Sequence, residues 1–322
     1  MKTKALLIGC GKMGAQYDLE QAGKVWSHAK AYSMIDDLEL TVTDLDIQRA
    51  NKVAAAYNAK VLERPDQQIY RDFDLISITT PTPTHLDYLT EILNHSASVI
   101  VCEKPVVSSL NGANELIDIY NGSSSKVIVN YMRRFQPGYE IVKERLERIS
   151  SKSSFKEIVI KYKRGFLNNA THAIDLLEWL FERPFDFKNF RVQKAEFDAF
   201  GYDPTVSGGC VYLDQPVNFV GICGINYPLF EVEIFFPDSK LLICHSGNEV
   251  RYYTGAGKDL KENINERQTN LLDSYMLPVI MGALDLFHKR KGDDNFVSAL
   301  NMNIRALEII ESIIDDNASI SN

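Results

Sequence analysis

The run Gly9-Cys10-Gly11-Lys12-Met13-Gly14 constrains this chain more than any other stretch, because of what stands on either side of it. Before it, residues 5–8 form a continuous apolar run, as expected of a strand buried on both faces. After it the pattern turns helical. At a strand-to-helix junction the three glycines do different things. The first permits a tight turn, the second lets backbone approach a pyrophosphate, and the third allows close helix–strand packing. The helix N-terminus adds free N–H groups and the positive end of its dipole. Glycines also cluster in ordinary turns, but here strand, motif and helix come in the order that a dinucleotide cradle requires.

The rest of the first third repeats that grammar. Leu38–Thr43, residues 75–79 and residues 99–101 read as further buried strands, separated by helical spacing over Ile47–Tyr57, 86–93 and 110–120. Strands alternating with helices imply a parallel sheet, here a doubly wound Rossmann domain. Asp44 closes the second strand, where an acid bonds the adenosine ribose hydroxyls, and Asp46 adds negative charge. No arginine follows immediately, so a 2′-phosphate would be repelled and NAD is favoured over NADP. The alternative is an aspartate that merely starts the next turn. From Gly14 to Asp44 is 44 − 14 = 30 residues, against about twenty expected. The surplus falls within residues 16–25, which either overhang the site or form an inert bulge.

The turn formers Asn121-Gly122-Ser123-Ser124-Ser125 mark a boundary, giving an NAD-binding domain over 1–122 and a substrate-binding domain over 123–322. Residues 126–130 are able to add a strand to the first sheet. From about Phe155 strand follows strand, with one strong helix at Thr171–Phe181. That half is α+β, an open, mostly antiparallel sheet flanked by helices. Closing helices are expected over 271–289 and 296–314, and these can pack back on the first domain.

Composition excludes more than it selects. With 35 Lys and Arg against 43 Asp and Glu, the net charge of −8 argues against nucleic acid and anionic membrane as partners. Five cysteines with no C-x-x-C spacing suggest neither a disulfide framework nor a metal site, and point to free thiols in a reducing, cytoplasmic compartment.

Two more motifs fall at carboxyl ends of the expected strands, where open α/β sheets bind ligands. These are Thr80-Pro81-Thr82-Pro83-Thr84-His85 and Cys102-Glu103-Lys104-Pro105. With the glycine run, with Tyr131-Met132-Arg133-Arg134-Phe135-Gln136-Pro137 and with His172-Ala173-Ile174-Asp175, the chain resembles the glucose–fructose oxidoreductase / inositol dehydrogenase (Gfo/Idh/MocA) family. The likeness covers nearly the whole chain, with the motifs in family order.

The resemblance implies hydride transfer between NAD and a secondary alcohol of a sugar, nucleotide-sugar or cyclitol, in a homodimer or homotetramer formed through the second domain's sheet. It implies cofactor contacts from Gly9, Gly11, Lys12, Met13, Gly14, Asp44, Thr80, Pro81, Thr82, His85 and Glu103. Lys104 would contact the reacting hydroxyl and His172 would be the general acid/base. Met132, Arg133, Asn168, Asn169 and Asp175 would contact substrate. The chemistry is consistent: oxidising an alcohol removes a proton as hydride leaves, and histidine titrates near neutrality. His172 and Asp175, three apart in a helix, share a face.

One position departs from the family pattern. Asn168 stands where an aspartate is usual, and an amide does not stabilise an imidazolium as a carboxylate does. Two other readings therefore stay open: an NAD-retaining, glycosidase-like enzyme working by transient oxidation and elimination, and a non-catalytic NAD or sugar sensor. Lys161, Lys163 and Arg164 either receive an anionic substrate or form a solvated strand edge. Tyr227, Tyr252 and Tyr253 either contact sugar or pack.

Overall fold

The computed structural model describes residues 2–20, 23–65, 68–151, 154–256, 259–289, 292 and 294–320. The chain divides into two compact units, residues 1–135 with 273–301, and residues 136–272 with 302–322. The expected division lay at 122/123. The difference comes from two elements that join the first sheet's layers, a sixth strand and a helix from late in the chain.

The first unit is built on a six-stranded, wholly parallel sheet of order β3-β2-β1-β4-β5-β6. The strands are β1 (Thr3–Ile8), β2 (Leu38–Thr43), β3 (Lys60–Val61), β4 (Leu75–Ile78), β5 (Val99–Cys102) and β6 (Lys126–Val129). β4 and β5 are buried along their whole length, which is why they read as unbroken apolar runs. Strand order reverses between β1 and β4, so a crevice opens at their carboxyl ends, after Ile8 and Ile78.

The helices in the first 135 residues of this unit are α1 (Tyr17–Glu20), α2 (His28–Ser33), α3 (Ile47–Tyr57), α4 (His85–His95) and α5 (Ala113–Gly122). α3 starts because the Asp46 side chain accepts the N–H groups of Gln48 and Arg49, and it ends at Asn58 in the left-handed region. β3, only two residues long, left no readable period in the sequence. In place of one helix after the glycine run there is a π-turn over Lys12–Gln16, then α1, then α2.

The second unit holds α6 (Pro137–Ser150), β7 (Glu157–Tyr162), α7 (Thr171–Phe181) and the strands β8 (Arg191–Glu196), β9 (Thr205–Tyr212), β10 (Gln215–Gly221), β11 (Phe230–Phe235), β12 (Ser239–Cys244), β13 (Glu249–Ala256) and β14 (Asp259–Glu262). Its eight-stranded sheet runs β14-β13-β12-β11-β7-β10-β9-β8. The β7–β10 pair is parallel and every other pair antiparallel. Alternation along β7 and β11 (Phe230–Phe235) turns Ile158, Ile160, Tyr162, Phe230, Val232 and Ile234 into the core. Each such apolar side chain contributes about 1.5–3 kcal/mol when fully buried. The fold class expected from the sequence, a Rossmann sheet followed by an α+β half, is what the two units show.

Three elements of this unit were not expected. α6 buries Tyr139, Val142 and Leu146 and carries a proline in its first turn, a helical signal masked by its high charge. β14 is a polar edge strand, and β13, paired between it and β12, is polar over much of its length. Of the closing helices, α8 (Met276–Phe287) buries Met276, Val279, Ile280 and Ala283 in the core of the first unit. α9 (Phe296–Ile320) follows it.

Candidate active site

The glycine loop is held from both sides. Gly9 N–H donates to Thr43 O at 2.9 Å, and Thr79 Oγ1 donates to Gly9 O at 2.6 Å. A Cβ on Gly14 would lie 2.2 Å from Gly9 O, so only glycine lets the turn and strand approach this closely. A Cβ on Gly11 would meet nothing within 4 Å, which leaves the open approach that a pyrophosphate needs. Asp44 sits at the loop's edge: its Oδ2 accepts Cys10 N–H at 2.7 Å and its Oδ1 accepts Asp46 N–H at 2.8 Å. These residues fit a dinucleotide.

Sequence reasoning missed the arginines here. Arg49 Nη1 lies 3.5 Å from Asp44 Oδ1 and its Nη2 lies 3.7 Å from Asp46 Oδ2. Beside Asp44 opens a groove of about 590 Å³, lined also by Leu45, Ile47, Glu63 and Arg64.

The loops after β4 and β5 are stapled to each other. His85 is 1% exposed, with Nδ1 against Pro105 O and Nε2 against Thr80 O, both at 2.9 Å. Burial lowers its pKa, outweighing the two carbonyls, so the neutral ring donates to one of them. Thr84 Oγ1 ties the same turn to Thr80 Oγ1 at 2.7 Å. Thr82 opens the short turn Thr82–Thr84, with Pro81 at its N-cap and facing outward.

Glu103, assigned to cofactor by the resemblance, has one carboxylate oxygen engaged inside the unit. Its Oε1 accepts from His28 Nε2 at 3.0 Å and from Asn130 Nδ2 at 2.6 Å. Burial pushes the Glu103 carboxyl up, but His28, Asn130 and Lys104 together hold it below the usual range. Lys104 follows, half-buried, before a cis bond to Pro105. His28 and Asn130 carried no sequence signal as partners of this motif.

The surplus stretch after the glycine loop is a clamped segment within the same unit. Both Asp18 oxygens accept Trp26 N–H at 3.0 Å, and Oδ2 also accepts Ser27 N–H and Ser27 Oγ–H at 2.6 Å. Lys24 pairs with Asp273 at 2.8 Å, and the Trp26 ring stacks on Tyr275 at 6.5 Å. Gln21 and Ala22 lie outside the described residues. Met132 and Arg133 fall in the turn Met132–Phe135, with Arg133 buried.

In the second unit, α7 carries His172 and Asp175, 8% and 2% exposed, one turn apart on one face. The His172 ring meets the Phe230 ring edge-on at 6.4 Å. The π-turn Phe166–Ala170 leads into α7, anchored by Phe166 among the rings of Tyr162, Phe187, Phe190 and Phe219. Asn168 Nδ2 donates to Arg164 O at 3.1 Å and Asn169 Nδ2 to Lys163 O at 2.7 Å. Asp203, 1% exposed, accepts the N–H groups of Leu167 and Asn168. Thirty-five residues from Asn168, it gave no sequence signal.

The basic residues before this segment are spoken for. Lys161 pairs with Glu233 at 2.6 Å and Glu231 at 3.7 Å, and Lys163 donates to Ile225 O. Both lysines thus have partners within their own unit. Tyr252 is buried under Arg145, and Tyr253 lies under Lys240, while Tyr227 is exposed. Among the described residues Cys244, His245 and Glu249 converge within 4.8 Å, but Glu249 is already engaged by Arg251 and Arg267.

Residues 3–131 match the model of an oxidoreductase family with an NAD-binding Rossmann fold, Gfo/Idh/MocA. This chain is matched by that model over about two fifths of its length. It is 30% identical over 137 residues to an inositol 2-dehydrogenase of Rhizobium meliloti, covering 42% of this chain and 41% of that one. It is 28% identical over 262 residues to the inositol 2-dehydrogenase of Rhodococcus jostii, covering 80% and 64%. The chain thus spans between two fifths and two thirds of the length of these curated relatives.

Among solved structures it is similar to a UDP-N-acetylglucosamine 3-dehydrogenase from Acidithiobacillus ferrooxidans, with TM-score 0.70 and 17% identity over 97% of this chain and 96% of that one. It is also similar to a 3-ketoreductase from Actinomadura kijaniata in complex with NADP, with TM-score 0.71 and 10% identity over 97% and 96%. These likenesses show the fold. No helix among the described residues is long and apolar enough to cross a membrane.

Proposed function

We propose that this chain is an NAD-dependent oxidoreductase acting on a secondary alcohol of a sugar, nucleotide-sugar or cyclitol. The observation that carries the reading is the first unit's convergence of three loops. The glycine loop after β1, the Thr80–His85 turn after β4 and Glu103-Lys104 after β5 all leave neighbouring parallel strands at their carboxyl ends. The relatives named as inositol dehydrogenases support the substrate class.

Bound NAD supplies the hydride acceptor. The chain's own residues handle the rest. The glycine loop and Asp44 hold the dinucleotide, Lys104 contacts the reacting hydroxyl, and His172 takes its proton. Asp175, sharing His172's face, helps fix substrate hydroxyls together with Met132, Arg133, Asn168 and Asn169. Positioned acid–base groups of this kind contribute about 10²–10⁴-fold.

Arg49 and Arg64 favour a second reading of the cofactor alone. Beside Asp44 they offer cations to a 2′-phosphate, so NADP is a competitor to NAD at this edge. We further take the protein to be a cytoplasmic homodimer or homotetramer. Free thiols at all five cysteines support the compartment, and the family resemblance supports the assembly.

The test is a panel of cyclitols, sugars and nucleotide-sugars offered with NAD or NADP, read by nicotinamide absorbance. Turnover with one class is expected, lost on Lys104→Ala or His172→Ala while dinucleotide binding stays. Full turnover in Lys104→Ala contradicts the roles. A sugar product released with no net change in NADH supports the elimination route instead.

A further inference from the structure

We propose that His28 is a positioning residue for Lys104, acting through the carboxylate of Glu103. The inference rests on the proposed function only in taking Lys104 as the reactive amine. Its geometry stands by itself.

His28 opens α2 and is wholly buried, yet both ring nitrogens are used. Nε2 meets Glu103 Oε1 at 3.0 Å, and Nδ1 meets Ser77 Oγ at 2.9 Å. A carboxylate only accepts, so the ring proton sits on Nε2. In the neutral ring Nδ1 then accepts from Ser77 Oγ–H, and Ser77 Oγ accepts from Tyr32 O–H at 2.8 Å. The row starts at Tyr32, itself 1% exposed, so it holds a proton pattern in place and leads to no solvent at that end.

A carboxylate at 6% exposure persists as an anion only with such donors around it. Glu103 has two, His28 and Asn130. The other titratable groups that face it supply no charge near neutrality: burial pushes the Cys102 thiol and the Tyr275 hydroxyl up and the His85 ring down. Lys104 is the remaining one, and the Glu103 anion and the Lys104 cation favour each other. Removing the His28 donor therefore frees one side of the buried carboxylate, and the anion that faces Lys104 is no longer held in place.

The surplus stretch acquires a role on the same grounds. Within it Asp18 clamps Trp26 and Ser27, and that clamp sets where α2 begins. Ser27 caps α2 by accepting Lys30 N–H at 3.4 Å, and His28 is delivered at its first position.

The experiment is competitive labelling of lysines by an amine reagent across pH on the whole protein without substrate, read peptide by peptide. In His28→Ala and Glu103→Gln the midpoint for Lys104 should fall by about one pH unit, with Lys60 unchanged as the surface reference. In His28→Gln, whose amide can still donate to Glu103, the midpoint should stay within roughly 0.3 of the parent. An unmoved midpoint in folded His28→Ala overturns the proposal. A shift in His28→Gln as large as in His28→Ala assigns the effect to lost packing and overturns it too. Should His28→Ala fail to fold, an unmoved midpoint in Glu103→Gln decides against it. Labelling needs no turnover, so an inactive protein would contradict the proposed function and leave this result readable.

Discussion

The Asp203 carboxylate spans the N–H groups of Leu167 and Asn168, accepting each at 2.8 Å, in the turn that opens α7. Family resemblance leads one to expect a carboxylate at position 168 itself. The chain instead has an amide there, turned back to Arg164 O, and a buried acid brought from 35 residues away onto the backbone. The acid of this segment orders the turn before His172.

Asp203→Ala should therefore destabilise the protein by about 2–4 kcal/mol, the cost of stranding two buried N–H groups. Gly165 has φ 88°, and a Cβ there would lie 2.0 Å from Asp203 Oδ2. Gly165→Ala should cost more than about 2 kcal/mol from strain and overlap together. The two should not add: removing Asp203 relieves the overlap, so the double variant should be more stable than the sum by about 1 kcal/mol or more. Denaturant unfolding of the four proteins checks this, and simple additivity would contradict it.

Cofactor choice should turn on the edge of the Asp44 groove. Asp44→Asn keeps an acceptor for Cys10 N–H and removes the charge. It should weaken NAD binding by roughly tenfold, about 1.4 kcal/mol, and weaken NADP binding less or strengthen it. Arg49→Ala should weaken NADP more than NAD. Titration calorimetry with each dinucleotide measures both, and an unchanged NAD-to-NADP ratio in Asp44→Asn would count against the assignment of Asp44.

Much of this was legible in the chain, and the gaps have physical reasons. Buried parallel strands such as β4 announce themselves as unbroken apolar runs, and the Gly9–Gly14 cradle carries its geometry in its spacing. Pairings between distant polar side chains leave no such trace. His28 with Glu103 and Asp203 with Asn168 are set by tertiary packing. α6 was hidden by its charge, although Tyr139, Val142 and Leu146 keep helical spacing.

Further along α7, burial raises the Glu178 carboxyl to about 7 although Arg305 pairs with it at 2.7 Å and Phe185 N–H donates to it. A carboxyl raised in the folded state contributes most stability below its unfolded value, and loses it as pH rises through the folded one. Arg305 attracts only the ionised form, so Arg305→Leu should cost more at pH 8.5 than at pH 5.5. At the higher pH the loss should approach about 3 kcal/mol, the range for breaking a buried pair. Unfolding curves at the two pH values test the sign, and an equal loss at both would contradict it.

The central claim, that Lys104 contacts the reacting hydroxyl and His172 takes its proton in an NAD-linked alcohol oxidation, is tested most directly by single-turnover reduction of bound NAD with the best substrate of the panel. The parent protein should form NADH, and Lys104→Ala and His172→Ala should each slow that step by at least about a hundredfold while binding NAD within a few-fold of the parent. NADH formation at the parent rate in either variant would contradict the account.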